Sequence, residues 1–235
     1  MDRLYRTRFV IVFAALVAVA ACTPQIRETV PGSAPENFPR STYEQAMTQG
    51  KPVYRVDPAR SLIAITVRRG GSLARLGHDH IVASHVTEGY ISLEEGRADL
   101  YVPLNELTVD EQVLRTEAGL DTQPSESAIA GTRANMLDKV LETQQFPFVI
   151  IHVSVLEKMQ AGMRLSVAIT LHGVTRSYET PVQIESGSRE MAVSGLLEFN
   201  QSDFGIVPFS VLGGAIRVQD AVSLRFKISA RRNGR

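Results

Sequence analysis

Tryptophan is absent from this chain of 235 residues, and aromatic residues make up only 6% of it. An aromatic-rich platform for carbohydrate or nucleobases is therefore not favoured. A net charge is absent as well, because 25 lysines and arginines balance 25 aspartates and glutamates. No global positive field would draw such a chain to nucleic acid or to anionic lipid headgroups. The composition predicts a folded globular protein that does not bind nucleic acid.

Cysteine is nearly absent, since Cys22 is the only one. The domain that follows it can therefore have neither a disulfide nor a catalytic thiol. Three arginines among the first eight residues, an apolar run over 9–19 and the small pair Ala20-Ala21 stand before Cys22. This order is typical of a bacterial secretory signal, and the apolar run is too short for a comfortable transmembrane span.

The junction Val19-Ala20-Ala21-Cys22 resembles the lipobox of bacterial lipoproteins, in which the cysteine becomes the lipidated first residue. In that resemblance Thr23, which is not an aspartate, implies sorting to the outer membrane. We therefore predict a signal peptide over 1–21, a lipid anchor on Cys22 and a location on the periplasmic face of the bacterial envelope. A plain signal peptide cut nearby, or an uncleaved anchor, is the alternative. The polar segment 22–51, marked by prolines, is predicted to hold the lipidated N-terminus and a flexible tether.

Alternation of apolar and polar residues dominates the rest of the chain and predicts β-strands with one buried face. In 164–171 and 221–229, for example, every second residue is apolar. Turn residues separate most of the predicted strands, and antiparallel strands with short connections close readily into a barrel or a sandwich. The predicted strands cover 61–67, 89–93, 98–104, 148–155, 164–171, 177–184, 191–199 and 221–229.

The interval 109–142 lacks this alternation and is rich in helix-forming residues. We predict two short helices there, with Asp110 as an N-cap and Gln123-Pro124 between them. The second helix has apolar residues spaced for an amphipathic helix that would lie over one end of the strands. Residues 52–232 are therefore predicted to form one mainly β domain with a short helical insertion.

Several short motifs follow one another in the second half of the chain. They are Asn135-Met-Leu-Asp138, Gln145-Phe-Pro-Phe148, Ile169-Thr-Leu-His-Gly-Val-Thr175, Glu179-Thr-Pro-Val182, Asn200-Gln-Ser-Asp-Phe-Gly205 and Val218-Gln-Asp-Ala-Val222. In order and spacing they resemble the YceI-like family, over about 53–229. The resemblance implies a periplasmic, lipocalin-like antiparallel β-barrel of about eight strands that holds isoprenoid or other long-chain lipids. The stretch 68–85 departs from the family pattern, which usually has a histidine at the end of the first long strand.

The apolar face of the strands supplies candidate residues for a ligand cavity. An eight-stranded barrel leaves room for one small or elongated ligand, and burial alone would hold an apolar chain in it. The resemblance favours such a cavity, whereas in the alternative the same side chains fill the barrel as a plain core. The candidate ligand-binding residues are Ile63, Ile65, Val67, Leu100, Val102, Val149, Ile151, Val153, Val167, Ile169, Leu197 and Phe226.

The stretch 71–85 holds three of the five histidines of the chain. On a regular strand His78 and His80 would share one face, so their two imidazoles could reach one metal ion or a haem, while His85 would face the other way. Further metal ligands would have to come through the fold, the conceivable ones being Asp79, His152 and His172.

The alternative for the same stretch is a polar group at the mouth of the cavity, formed by His78, Asp79 and His80. In this interpretation the histidines hydrogen-bond to Asp79 or to the backbone and bind no metal. His172, which stands beside Gly173 at a predicted strand end, is predicted to be a turn residue.

Enzyme signatures do not accompany these residues. The chain has no G-x-S-x-G elbow, and its glycine pairs lack the lysine and the helix of a phosphate-binding loop. We therefore predict a non-enzymatic envelope lipoprotein that binds an isoprenoid, quinone or other long-chain lipid, as a carrier or a sequestering protein, without a cofactor. A metal- or haem-binding protein using His78 and His80 is one alternative. A structural or interaction domain with a filled core is the other.

Replacing Cys22 with serine tests the predicted anchor, because serine offers no thiol for lipidation. We expect Cys22→Ser to move the protein from the membrane fraction to the soluble fraction of lysed cells, as measured by fractionation and immunoblotting. Thr23→Ser serves as the control and stays with the membrane. An unchanged membrane fraction for Cys22→Ser would refute lipidation at this residue.

Overall fold

A single antiparallel sheet closes on itself within residues 34–232, the part of the chain that the structure, a computed structural model, describes. The predicted signal peptide and Cys22 lie outside these residues. The strands are β1 Val53–Val56, β2 Leu62–Gly70, β3 His80–Ser84, β4 Glu88–Ser92, β5 Arg97–Pro103, β6 Thr108–Val109, β7 Phe148–Lys158, β8 Met163–Leu171, β9 Val174–Ser186, β10 Glu190–Asn200, β11 Ser210–Val211 and β12 Ile216–Arg232. The helices are α1 Arg40–Thr48, α2 Gln112–Glu117 and α3 Glu126–Asn135, and α3 continues as a π-helical turn, Met136–Val140. No helix in this part of the chain has the length and apolar character needed to cross a membrane.

Eight strand positions form the closed circuit. β1, β4, β5, β7, β8, β9, β10 and β12 pair in this order, and β12 returns to β1. β2 continues the position of β1 along the same edge of β12, and β3 and β6 continue the positions of β4 and β5. Closure of this kind pairs the edges that an open sheet would expose. The predicted fold, a mainly β antiparallel barrel of about eight strands with a short helical insertion, is confirmed.

Each of the eight predicted strands overlaps an observed one, whereas β1, β3, β6 and β11 were not predicted. These four strands have five residues or fewer. Alternation is hard to recognise over so short a length. In β3 it is further obscured because Ile81, Val82 and Ala83 are all buried, one face by the barrel and the other by the helical insertion.

The helical insertion follows the prediction except at its start. Ser125 caps α3 by accepting a hydrogen bond from the N–H of Ala128 at 3.3 Å. Asp110, by contrast, is not an N-cap: Glu111 occupies that position of α2. Asp110 has a positive φ of 58° and turns its carboxylate into the protein.

The described part of the predicted tether, 34–51, is not free of the barrel. Tyr43 in α1 is buried, stacks on Tyr90 at 5.1 Å between ring centroids, and donates a hydrogen bond from its hydroxyl to Asp99 at 2.6 Å. Phe38 packs edge-on against Tyr101 at 4.8 Å. The prediction of a flexible tether is therefore wrong for this stretch, because buried aromatic rings fix α1 to the outside of the barrel.

A buried ion pair joins α2 to the wall. One Asp110 oxygen accepts hydrogen bonds from Arg115 Nη1 at 2.5 Å and from the N–H of Ile81 at 3.0 Å. The other oxygen lies 2.6 Å from His80 Nδ1. The side chains of Arg115 and Asp110 are 2% and 0% exposed. Burial alone would raise the pKa of Asp110, but its hydrogen bonds to His80, Ile81 and Arg115 hold that pKa below the usual range.

Removing the Asp110 charge is expected to destabilise the fold, since Arg115 would stay buried without its counter-ion. We expect Asp110→Asn to lower the free energy of unfolding by about 3 kcal/mol at neutral pH, measured by urea denaturation. The pKa of Asp110 is lower in the folded state than in the unfolded state. Its contribution to the free energy of unfolding is therefore present above the unfolded pKa of about 3.9 and is lost as the pH falls through the folded pKa. The difference between the two proteins should therefore shrink below about pH 4.

Asp121→Asn is the matched control, because the Asp121 side chain is 73% exposed and lies 3.8 Å from Arg69. We expect it to change the stability by less than about 0.5 kcal/mol. Equal stabilities of Asp110→Asn and Asp121→Asn would contradict a structural role for the buried pair.

Candidate functional site

The barrel interior is hollow and contains two adjoining chambers. The larger, of about 340 Å³, lies at the end where β3 and β12 begin and where α3 and the π-helical turn cover the barrel. We call this end the mouth. The smaller chamber, of about 130 Å³, lies towards the far end, where the turn between β4 and β5 is found. Together the chambers occupy the length of the barrel.

Four side chains line both chambers and form what we call the waist: Ile63, Ile151, Ile169 and Leu224. Ile151 and Ile169 are opposite each other in the β7–β8 pair, and Ile63 and Leu224 come from the neighbouring strands β2 and β12. In the eight-position circuit these two pairs of strands stand on opposite walls. The chambers therefore meet across apolar side chains and no backbone crosses between them.

All twelve residues predicted to bind a ligand line one chamber or the other. Ile65, Val67, Val102 and Val149 line the larger one, while Leu100, Val153, Val167, Leu197 and Phe226 line the smaller one. The remaining three, Ile63, Ile151 and Ile169, belong to the waist. That they contact a ligand stays a prediction.

Sequence reasoning missed the lining residues that lie outside the predicted strands. α3 and the π-helical turn contribute Asn135, Met136 and Val140 to the larger chamber. The loop after β10 and the start of β12 contribute Phe209 and Ile216. Asn135 and Met136 belong to one of the motifs that carry the family resemblance, which was the available signal. Phe209 and Ile216 have no periodic pattern that could have identified them.

Polar side chains gather at the mouth. The larger chamber is lined there by Arg69, His78, His80, Gln201 and Arg217. The smaller chamber is lined almost entirely by apolar side chains, with Ser92, Arg97 and Thr180 as the polar exceptions. The interior thus changes from apolar to polar along the barrel, which suits a ligand with an apolar chain and a polar head.

His78 and His80 both line the larger chamber, with ring centroids 6.3 Å apart. Asp79, between them, does not: its carboxylate accepts hydrogen bonds from the N–H of Arg69 at 2.8 Å and from Arg68 Nη1 at 3.0 Å. Burial alone would raise the pKa of Asp79, but these arginines hold it below the usual range. The expectation that Asp79 partners the histidines is wrong, because the arginines of β2 engage its carboxylate.

His80 is instead supported by Asp110, whose carboxylate lies 2.6 Å from Nδ1. In a neutral ring this contact places the proton on Nδ1 and leaves Nε2 as an acceptor; in a protonated ring Nε2 becomes a donor. Nε2 makes no hydrogen bond with any residue of 34–232, and the ring lines the larger chamber. His78 Nδ1 is buried and likewise has no hydrogen-bond partner in the described part of the chain. His80 Nε2, which is not among the fully buried atoms, is therefore the ring nitrogen available to a polar group of a ligand.

The other three histidines lie apart from this pair. His85 contacts Glu111 at 2.9 Å, His152 contacts Asp99, and His172 contacts Glu142 at 3.2 Å. His172 has a positive φ of 52° and forms the β8–β9 turn with Gly173. Within 34–232 no three side chains of His, Cys, Asp or Glu come together as a metal centre requires. The conceivable metal ligands are thus not brought together with His78 and His80.

Solved structures with the same fold have little sequence identity to this chain. A polyisoprenoid-binding domain from Saccharophagus degradans is 16% identical, with a TM-score of 0.55 over 78% of this chain and 100% of that one. BcnA from Burkholderia cenocepacia is 12% identical, with a TM-score of 0.52 over 74% of this chain and 98% of that one. No curated protein matches the chain.

The family model of the YceI-like domain matches residues 54–230, which covers the barrel from β1 to all but the last two residues of β12. The motifs from Asn135 to Val222 lie within this match. The closed eight-position circuit and the family match agree on one domain. The chain belongs to the YceI-like family.

Proposed function

We propose that the protein is a lipoprotein of the bacterial envelope that binds an isoprenoid, quinone or other long-chain lipid inside its barrel. It either carries this lipid across the periplasm or sequesters it. The observation that carries the proposal is the pair of apolar chambers joined at the waist. Membership of the YceI-like family supports it, and so does the likeness to the polyisoprenoid-binding domain from Saccharophagus degradans.

Burial of an apolar chain would supply the binding free energy. Each methylene group removed from water contributes about 0.8 kcal/mol, so one five-carbon isoprene unit contributes about 4 kcal/mol before the costs of ordering the chain. The waist side chains Ile63, Ile151, Ile169 and Leu224 would contact the middle of an elongated ligand. No specific polar contact is needed along the chain, which suits a lipid with a repetitive apolar tail.

The mouth would hold the polar head of the same ligand. His80 Nε2 can accept a hydrogen bond from a hydroxyl group, or donate one to a carbonyl oxygen when the ring is protonated. The His78 ring lines the chamber beside it. Asp110 and Arg115 fix the orientation of His80, so the head meets a rigid group instead of a mobile one.

Binding, and not catalysis, is the proposed activity. The Asp110–His80 pair has no hydroxyl or thiol among its hydrogen-bond partners in 34–232, so a nucleophile does not stand beside this base. Reversible burial of a lipid needs no bond to form or break.

Localisation on the periplasmic face of the outer membrane, through an anchor on Cys22, completes the proposal.

Native mass spectrometry of the protein purified from its own envelope, with lipid extraction and metal analysis, tests this function. We expect a prenyl lipid to accompany the protein in about equimolar amount. A stoichiometric metal, or a haem absorption band that disappears in His80→Ala, would replace the proposal with a metal or haem function. A protein without any ligand would contradict both.

Filling the waist, or the smaller chamber next to it, should block the ligand. We expect Ile151→Phe, and independently Val167→Phe, to lower the amount of co-purified lipid at least about tenfold, because each larger side chain enters the apolar volume. Ser154→Phe is the control, since Ser154 lies on the outer face of the same strand. Circular dichroism checks that the variants are folded. Undiminished lipid in folded Ile151→Phe and Val167→Phe would contradict binding inside the barrel.

Removing the ring nitrogens of His80 should weaken the binding of the polar head of the ligand and leave the binding of its apolar tail unchanged. We expect His80→Leu to weaken the binding of a prenyl alcohol about three- to tenfold, which corresponds to one hydrogen bond, measured by fluorescence displacement. The affinity for the matching hydrocarbon should stay the same. His85→Leu, on the outside of the barrel, is the control. Equal weakening for the alcohol and the hydrocarbon would refute a head-group contact at His80.

A further inference from the structure

We propose that the rim of the mouth docks onto the surface of an anionic phospholipid bilayer. The rim consists of two segments: 68–79, from the end of β2 to the residue before β3, and 205–217, which contains β11 and the first two residues of β12. This inference rests on the proposed function: if the barrel binds a lipid, docking would let that lipid pass from the membrane into the barrel without crossing water. It adds a partner surface that is separate from the lipid anchor.

Large apolar side chains are exposed on both segments of the rim. Leu76 is 60% exposed, Leu212 is 70% exposed and Val207 is 81% exposed. Val211, which is partly exposed, also lines the larger chamber. Apolar side chains grouped around an opening are unusual on a soluble surface and mark sites of protein or membrane contact.

The two segments form one continuous surface. The N–H of Leu73 donates a hydrogen bond to the carbonyl oxygen of Ala215 at 2.8 Å. Gly71, with a φ of 90°, comes so close to Ala215 that a Cβ atom there would lie 2.4 Å from the same oxygen. The N–H of Val218 also donates to the carbonyl oxygen of Phe209 at 2.9 Å, and Phe209 lines the larger chamber. An apolar path thus runs from the exposed rim into the barrel.

The rim is basic although the whole chain is neutral. Its two segments contain four arginines and one aspartate, which gives a formal charge of +3. Arg68 and Arg69 contact that aspartate, Asp79, whereas Arg75 and Arg217 form no ion pair with any residue of 34–232. Each basic residue near an anionic membrane contributes about 1 kcal/mol of attraction. The charge therefore complements anionic headgroups.

The far end of the barrel provides an internal comparison. Its turns also expose apolar side chains, among them Leu156 and Met159. The turns 92–96, 156–162 and 185–190 contain five acidic and two basic residues, which gives a formal charge of −3. An anionic bilayer would repel these turns, whereas it would attract the two segments of the rim.

The course of the N-terminal segment agrees with this orientation. Lys51, after the end of α1, contacts Glu95 at the far end at 3.5 Å. Phe38, before the start of α1, packs on Tyr101, whose ring lies 5.9 Å from that of Phe148 at the start of β7 near the mouth. The chain that leads from the predicted anchor therefore joins the barrel on the side of the mouth.

Vesicle co-sedimentation of the chain without its predicted signal peptide, residues 22–235, tests the docking surface. The parent carries Cys22→Ser so that no anchor masks the weaker contact, and the probes are vesicles of phosphatidylcholine with and without phosphatidylglycerol. We expect Leu212→Asp and Arg75→Glu each to lower the partition coefficient on phosphatidylglycerol vesicles about tenfold. Added salt should weaken the binding of the parent. Aspartate tolerates the positive φ of 53° at Leu212, so the variant is compatible with the fold.

Leu156→Asp and Arg164→Glu are the matched controls, because both residues lie at the far end and line neither chamber. We expect them to bind as the parent does. Equal binding of rim and control variants, or binding of the parent that does not depend on phosphatidylglycerol, would overturn the proposal. A dimer that Leu212→Asp dissociates, without an effect on vesicles, would overturn it too, in favour of a second copy on the rim.

Lipid extracted from the same parent protein separates this inference from the proposed function. Rim-dependent vesicle binding by a protein that carries no lipid would support docking and contradict lipid binding in the barrel. A protein that carries lipid but binds vesicles independently of the rim would do the reverse.

Discussion

The pairing of β12 along both of its edges is the constraint on which the rest of the structure depends. This strand of 17 residues pairs with β10 on one side and with β1 and β2 on the other. It thereby closes the circuit, and closure turns one face of every wall strand inwards. Because the wall is held by backbone hydrogen bonds, the side chains inside need not fill the interior completely. The chambers and the waist follow from this arrangement.

The buried polar cluster at the mouth is centred on Asp110. Asp110 would be costly to bury alone, yet it is held by Arg115, by the N–H of Ile81 and by His80. The same contacts orient the His80 ring towards the larger chamber. One buried cluster therefore stabilises the helical insertion and orients the ring that is proposed to contact a ligand head. The rim lies just outside it, so the larger chamber, the proposed head-group contact and the proposed docking surface follow one another along the barrel axis.

Most of the fold could be predicted from the sequence, because long strands such as β8 and β12 alternate regularly over their buried faces. The candidate lining residues followed from the same pattern, although alternation alone cannot separate a hollow barrel from a filled one. The contacts that depend on distant partners could not be predicted. Tyr43 contacts strands that come much later in the chain. Asp110 comes just before a helix, and only the folded structure shows that its carboxylate contacts Arg115, Ile81 and His80 and does not cap that helix. A net charge of zero concealed the positive charge of the two rim segments, which lie far apart in the sequence and which the strand order brings together.

The central claim is that an apolar chain occupies the barrel on both sides of the waist. A crystal structure of the protein purified from its own envelope, without added lipid, tests this most directly. The account predicts continuous elongated density that runs from the larger chamber into the smaller one, passing between Ile151 and Ile169 on one wall and Ile63 and Leu224 on the other. Ordered water in both chambers, or side chains that close the waist, would contradict it.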